Sequence, residues 1–249
     1  TLTGNQSLAN VSASGNCAVG GIAGRNNGNL ILINDNSGVS RSVSGTNASG
    51  VGGIAGVNEA GGTLTVTETS NEIDAVGSGV SVIGLQRVGG IVGVNRGTIG
   101  DTGASTSEKY LASRAKLVRA SRGYAGGIVG ETHGDITCAV NRSVSVTADE
   151  GYAGGITAVN NKGQAIRNCK NFGNVSSSKG YASGIAAHNA GTITDCVVKG
   201  AELQSIGVNE MGAITAENAG TILSSRPEAD VVLKGEALVF GGVTGSNSG

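Results

Sequence analysis

The 249-residue chain sets 17 Lys and Arg against 18 Asp and Glu, a formal net charge of −1, so no global field draws it to nucleic acid or to an acidic membrane. Gly supplies 45 residues, aromatic residues are only 2%, Trp is absent, and no run of about 18 apolar residues exists to span a membrane. Gly at that density also argues against helical repeats, because Gly weakens helix interiors.

Residues 1–18 are polar, with Leu2, Leu8 and Val11 alternating weakly, and read as a preceding partial coil. From there one frame recurs, best seen at 88–99 as V-G-G-I-V-G-V-N-R-G-T-I. It returns at 19–30, 51–58, 125–136, 153–163, 182–193, 211–222 and 240–249. Its central apolar residues are Ile22, Ile54, Ile91, Ile128, Ile156, Ile185, Ile214 and Val243, spaced 28 to 37 residues apart. A period in that range marks a repeat architecture whose units contact only their neighbours, so the whole of 1–249 reads as one elongated domain.

Position by position, each copy has the same grammar. Three residues before the central Ile stands an apolar residue, and two after it only Gly or Ala. Four after it stands Asn26, Asn58, Asn95, Asn160, Asn189, Asn218 and Asn247, with Thr132 the exception. A second apolar row follows at Leu30, Leu64, Ile99, Ile136, Ile166, Ile193 and Ile222. A third, Val-rich run comes later in most copies, at 39–43, 80–83, 117–118, 144–146, 197–198 and 231–233. Short β-prone runs between Gly and Asn turns are strands, about three per period. The expected fold is therefore all-β, a right-handed parallel β-helix of about eight coils with one repeat per coil. At a rise of about 4.8 Å per coil the rod is on the order of 40 Å long. Stacked Ile and Val fill it, Gly and Ala let backbones approach closely, and stacked Asn amides bond from coil to coil.

At these residues the chain resembles the bacterial GLUG repeat. The match is best over 153–175, A-G-G-I-T-A-V-N-N-K-G-Q-A-I-R-N-C-K-N-F-G-N-V, and continues at 182–196, A-S-G-I-A-A-H-N-A-G-T-I-T-D-C. It covers nearly the whole chain, departing where Ala replaces the last Gly of the core in copies five to seven and in the longer coils between Ile54 and Ile128. The resemblance implies a β-helical protein of the cell-surface adhesin type, or the non-catalytic part of an immunoglobulin A peptidase. It brings no catalytic residues.

Several features stand apart from the frame. The Asn-x-Ser sequons at Asn5, Asn10, Asn47, Asn141 and Asn174 read as chance in so Asn- and Ser-rich a chain. Residues 101–123 are an insertion within one coil, poor in Gly and locally basic through Lys109, Arg114, Lys116, Arg119 and Arg122. A short helix over 107–119 and an acidic-glycan contact are its sharper readings; a solvated loop or a longer coil is the plainer one. Tyr124, Tyr152 and Tyr181 each stand four residues before a central Ile and should stack along one edge, structurally or as a sugar-binding strip. Glu131, His133 and Asp135 are the one tight group of His and carboxylates, with His188 two coils on; the plain reading is a polar turn. Cys169 and Cys196 should stack in adjacent coils with Cys138 slightly out of register, as buried thiols or, for the first two, a disulfide. No metal-binding spacing, phosphate loop or hydrolase motif is present, and no cofactor is expected. Pro227 should shape a loop before the last strand run.

The expectation is a monomeric, non-catalytic module, a rigid stalk or adhesin at the cell surface or outside the cell, taking a host glycan or host surface protein as partner. The alternative is a polysaccharide lyase or glycoside hydrolase on the same scaffold. Thr1 begins in mid-pattern and Gly249 ends inside a repeat core, which reads as a piece of a longer protein.

Overall fold

A computed structural model describes residues 1–34, 38–67, 72–100, 109–207, 210–236 and 238–249. The described residues form strands, bends and turns and no helix. Eight coils are stacked, and every coil crosses five parallel sheets, each eight strands deep. The first sheet runs from Leu2–Thr3 to Thr221–Leu223, the second from Gln6–Ser7 to Arg226–Pro227, and the third from Val11–Ser14 to Val232–Gly235. The fourth runs from Ala18–Gly20 to Val239–Gly241 and the fifth from Ala23–Asn26 to Thr244–Asn247.

Stacking puts equivalent residues in register, so a sequence column becomes a physical column. Leu30, Leu64, Ile99, Ile136, Ile166, Ile193 and Ile222 pair in succession along the first sheet. Ile54, Ile91, Ile128, Ile156, Ile185 and Ile214 are fully buried, each amide bonded to the next coil, as in Ile54 N to Ile91 O at 2.8 Å. One hydrophobic cluster runs through the solenoid from Val19 to Ile214. The backbone polar groups are satisfied by neighbouring coils, which is why short strands with little length of their own persist.

Five strands per coil replace the expected three, because each apolar run bends at a corner. The Gly-Gly of the frame splits it into a fourth-sheet strand and a fifth-sheet strand, as in Arg87–Gly89 and Val92–Asn95. The next run turns through a left-handed residue: Cys138, Asn168, Asp195 and Ser224, at φ of 52°, 51°, 53° and 48°, separate first-sheet from second-sheet strands. Val197–Val198 accordingly lies in the second sheet and not with the Val-rich runs of the third, where coil seven contributes Glu202–Ser205.

The helix expected over 107–119 does not form in its described part. Tyr110–Ser113 is a second-sheet strand and Leu117–Ala120 a third-sheet strand. Val118 pairs with Val82 and Val146, and burial alternates along Leu117–Ala120, so the backbone bonds to neighbouring coils override the helix-forming composition. Residues 109–123 are thus ordinary coil, and 101–108 lie outside the described residues.

The Gly or Ala two residues after the central Ile marks a close approach. A Cβ on Gly56 would stand 2.4 Å from Val19 N, and one on Gly93 would stand 2.5 Å from Val51 N. The fifth-sheet strand of one coil therefore leans on the fourth-sheet strand of the coil before, and the outer faces of these two sheets meet in a groove along the solenoid.

Candidate functional site

Two outward columns line the groove. On the fourth sheet Arg87 is followed by Tyr124 and then Tyr152 in register, with Tyr181 next and Glu210 after it. On the fifth sheet the column runs Arg25, Val57, Val94, Glu131, Val159, His188, Glu217. Side chains from the two columns touch. Arg87 Nε donates to Glu131, Tyr152 and His188 have ring centroids 6.3 Å apart, and Ser246 on the fifth sheet donates to Glu210 on the fourth.

The tyrosines do stack. Tyr152 and Tyr181 are 4.9 Å apart and 19° from parallel; Tyr124 and Tyr152 are 5.6 Å apart and tilted by 43°. Tyr152 has a ring neighbour on either side and all three rings are half-buried, so the strip is no row of separate flat platforms. Burial, then Glu217 and the flanking tyrosines, pushes the Tyr152 phenol up to about 12. Burial and the Glu217 carboxylate, to which it donates, also raise Tyr181. The upstream end of the stack is different: Tyr124, Arg87, Gln86 and Arg122 line a cleft of about 230 Å³.

Arg87 also borders a larger cleft of about 440 Å³ over coils one to four. Val57 and Val94 form its floor, and Arg25, Arg87, Arg96, Glu131 and His133 its rim. Glu59 bridges Arg25 and Arg96, while Glu131 holds Arg87 and, at 3.0 Å, His133 Nε2. Arg25, Arg87 and Arg96 belong to no single motif. They surface only when the repeat is read by column: Arg87 occupies the tyrosine position, and Arg25 the position of Val57 and Glu131.

The basic residues of 101–123 go elsewhere. Arg114 is held by Asp74 at 2.6 Å and Glu72 at 3.1 Å, and Arg119 by Asp149 at 2.7 Å. Arg122 lies 3.8 Å from Glu150, Lys109 Nζ donates to Thr67 O at 3.2 Å, and Lys116 is exposed. The local positive excess is largely answered by acids in the adjacent coils, and only Arg122 reaches the groove. Glu131, His133 and Asp135 do not converge either. Asp135 turns to the next coil, accepting from Ala165 N at 2.8 Å, and His188 pairs with Glu217 at 3.1 Å. Among the described residues no group of three His, Cys, Asp or Glu is placed to hold a metal.

Asn26, Asn58, Asn95, Asn160, Asn189, Asn218 and Asn247 form the expected ladder. Where the next coil also carries Asn, the amide Nδ2 donates to its Oδ1, at 2.8 Å for Asn26 to Asn58 and 2.7 Å for Asn160 to Asn189, while Asn95 donates to Thr132 Oγ1 at 3.1 Å. A second, two-rung ladder lies outside the repeat frame: Asn141 donates to Asn171 at 2.7 Å, both fully buried. Its cue was Asn-x-Gly at Asn171, the spacing of the main ladder. The burial of Asn141 also removes it as a glycosylation site. Cys169 and Cys196 are buried free thiols, and burial followed by the Cys196 neighbour holds Cys169 well above the usual thiol range. Cys138 sits at the left-handed corner, outside the row of the other two, as its sequence offset indicated.

No protein-family model, curated protein or solved structure matches the chain.

Proposed function

We propose that this chain is a non-catalytic β-solenoid module of a bacterial cell-surface or secreted protein, a rigid stalk that also binds a host glycan or host surface protein along its groove. The observation that carries the reading is the groove itself, with Tyr124, Tyr152 and Tyr181 stacked across successive coils and Arg87 in register at their upstream end. Such a surface suits an extended, polar ligand that advances with the coils. The described carboxylates beside it are engaged: Glu131 by Arg87 and His133, Glu217 by His188 and Tyr181, and Glu210 by Ser246. A hydrolase needs an acid and a base poised on either side of a sugar bond, whereas these acids hold their own wall together. The resemblance to GLUG repeats points the same way, as does the continuous apolar column that makes each coil a support for the next. The module is expected to be monomeric.

The test is a binding screen on immobilised glycans and mucosal host proteins, with turnover of acidic polysaccharides followed in parallel. Saturable binding without new chain ends is the expected result. Release of reducing or unsaturated ends would overturn the proposal, and Glu131, His133 and Asp135 would then be the first residues to replace.

A further inference from the structure

We infer that the cleft over coils one to four is a subsite for a carboxylated sugar, a uronate or sialate unit, with the adjoining sugar laid against Tyr124. The inference rests on the glycan-binding reading above and names the ligand class and the residues. Three guanidinium groups, Arg25, Arg87 and Arg96, border one cleft of about 440 Å³. They are balanced by two carboxylates, Glu59 and Glu131, so the rim keeps an excess positive charge. Among the described residues Arg25 and Arg96 each use only Nη1, and both on Glu59. A guanidinium has five N–H donors in a planar fork that matches a carboxylate two to two, so the cleft retains donors for an incoming anion. The pairs to Glu59 are exposed, with Arg25 at 66% and Arg96 at 47%, and such pairs exchange partners in water at small cost.

The floor selects a sugar over a bare anion. Val57 and Val94 are buried neighbours in one column and line the cleft beneath the charged rim, so its floor is apolar, as suits the C–H edge of a sugar more than a fully hydrated ion. The neighbouring cleft shares Arg87 and adds Tyr124, the last ring of the stack. A charged subsite and an aromatic subsite thus share Arg87, and Tyr124 stands one coil on from that arginine, at a rise of about 4.8 Å, close to the length of one sugar unit. The basic stretch 109–122 carries more cations but lacks this combination of cleft, apolar floor and ring.

Calorimetric titration with tetragalacturonate and with sialyllactose, each beside its carboxyl methyl ester, tests the assignment and separates the two sources of carboxylate. At least one acid should bind, weakening as salt rises, and its ester should bind at least ~10-fold more weakly. Arg87→Ala, Arg25→Ala and Arg96→Ala should each lower affinity by a similar factor, while Arg41→Ala, which removes the same charge at an exposed bend outside the cleft, should leave it unchanged. Arg25 and Arg96 are exposed, so their variants fold even if Arg87→Ala does not, and thermal melts check all four. Equal binding of acid and ester, or equal loss in Arg41→Ala, would overturn the inference. So would no binding of either acid; the broader adhesive reading would then stand or fall on the glycan and host-protein screen.

Discussion

Thr132→Asn should stabilise the protein. In the main ladder each Asn donates to the next coil, but at coil four Thr132 takes the Asn place. Asn95 Nδ2 donates to Thr132 Oγ1 at 3.1 Å, and the Thr hydroxyl donates to Gly134 O within its own turn. Nothing then reaches Asn160 on the following coil, and Asn160 Oδ1 is buried without a hydrogen-bond partner. The ladder is therefore two ladders, 26–58–95–132 and 160–189–218–247, with an orphaned acceptor at the break. The desolvation of that oxygen is already incurred, so supplying a donor recovers about 1–3 kcal/mol. Against this stands loss of the Thr methyl contacts, about 0.8 kcal/mol for one buried carbon, and the added rotamer freedom of Asn. The net gain is about 1 kcal/mol. Thr132 and Asn160 are in register, and seven other coils hold Asn on the same backbone, so little rearrangement is needed.

Urea melts of the two proteins measure it directly. The midpoint should rise with the slope unchanged, and Tm should rise by about 2–4 °C. Thr132→Val, which keeps the shape but removes the hydroxyl, should fall below wild type, because Asn95 Nδ2 then keeps only Asp135 O, at 3.4 Å, and Gly134 N loses its Oγ1 acceptor. If Thr132→Asn matched or fell below the wild type, the idea that inter-coil amide bonds contribute net stability here would be wrong.

Other expectations come from the same columns. Asn189→Ala removes a donor to Asn218 Oδ1 and an acceptor for Asn160 Nδ2, both about 2.7 Å away and buried, and should cost about 2–4 kcal/mol by denaturant titration. Gly93→Ala places a Cβ 2.5 Å from Val51 N and 2.6 Å from Gly56 O, so it should cost about 1–3 kcal/mol, although Ala158, Ala187 and Ala216 occupy the equivalent place in later coils. Tyr152 has a folded pKa raised to about 12, so its share of stability is present below the unfolded value near 10 and is lost as pH climbs from there to about 12. Tyr152→Phe should therefore flatten the alkaline decline in stability, and an identical decline in both proteins would contradict the assignment. Cys169 and Cys196 should resist iodoacetamide in the native state while Cys17 reacts, since both are fully buried and Cys17 is not; labelling all three at one rate would mean the coils open readily.

The repeat, its strands, the buried Ile and Val columns and the Asn ladder were legible in the amino-acid sequence, because in a solenoid each coil solves the same packing problem and must repeat the same residues. Tyr124, Tyr152 and Tyr181 could be placed in one stack for that reason. The corner count could not be read so directly: a Gly-Gly pair or a left-handed Asn, Asp, Ser or Cys bends a run without interrupting its apolar pattern, so three runs became five strands. The segment at 109–119 carried helix-forming residues, yet its backbone groups bond to coils about 30 to 40 residues away, and no local preference reveals such partners. Charge obeys the same rule. Arg114 and Arg119 are neighbours in sequence of other cations but neighbours in space of Asp74 and Asp149, while Arg25, Arg87 and Arg96, far apart along the chain, share one cleft. Sequence proximity reports composition, and only the stacking of coils decides which charges meet.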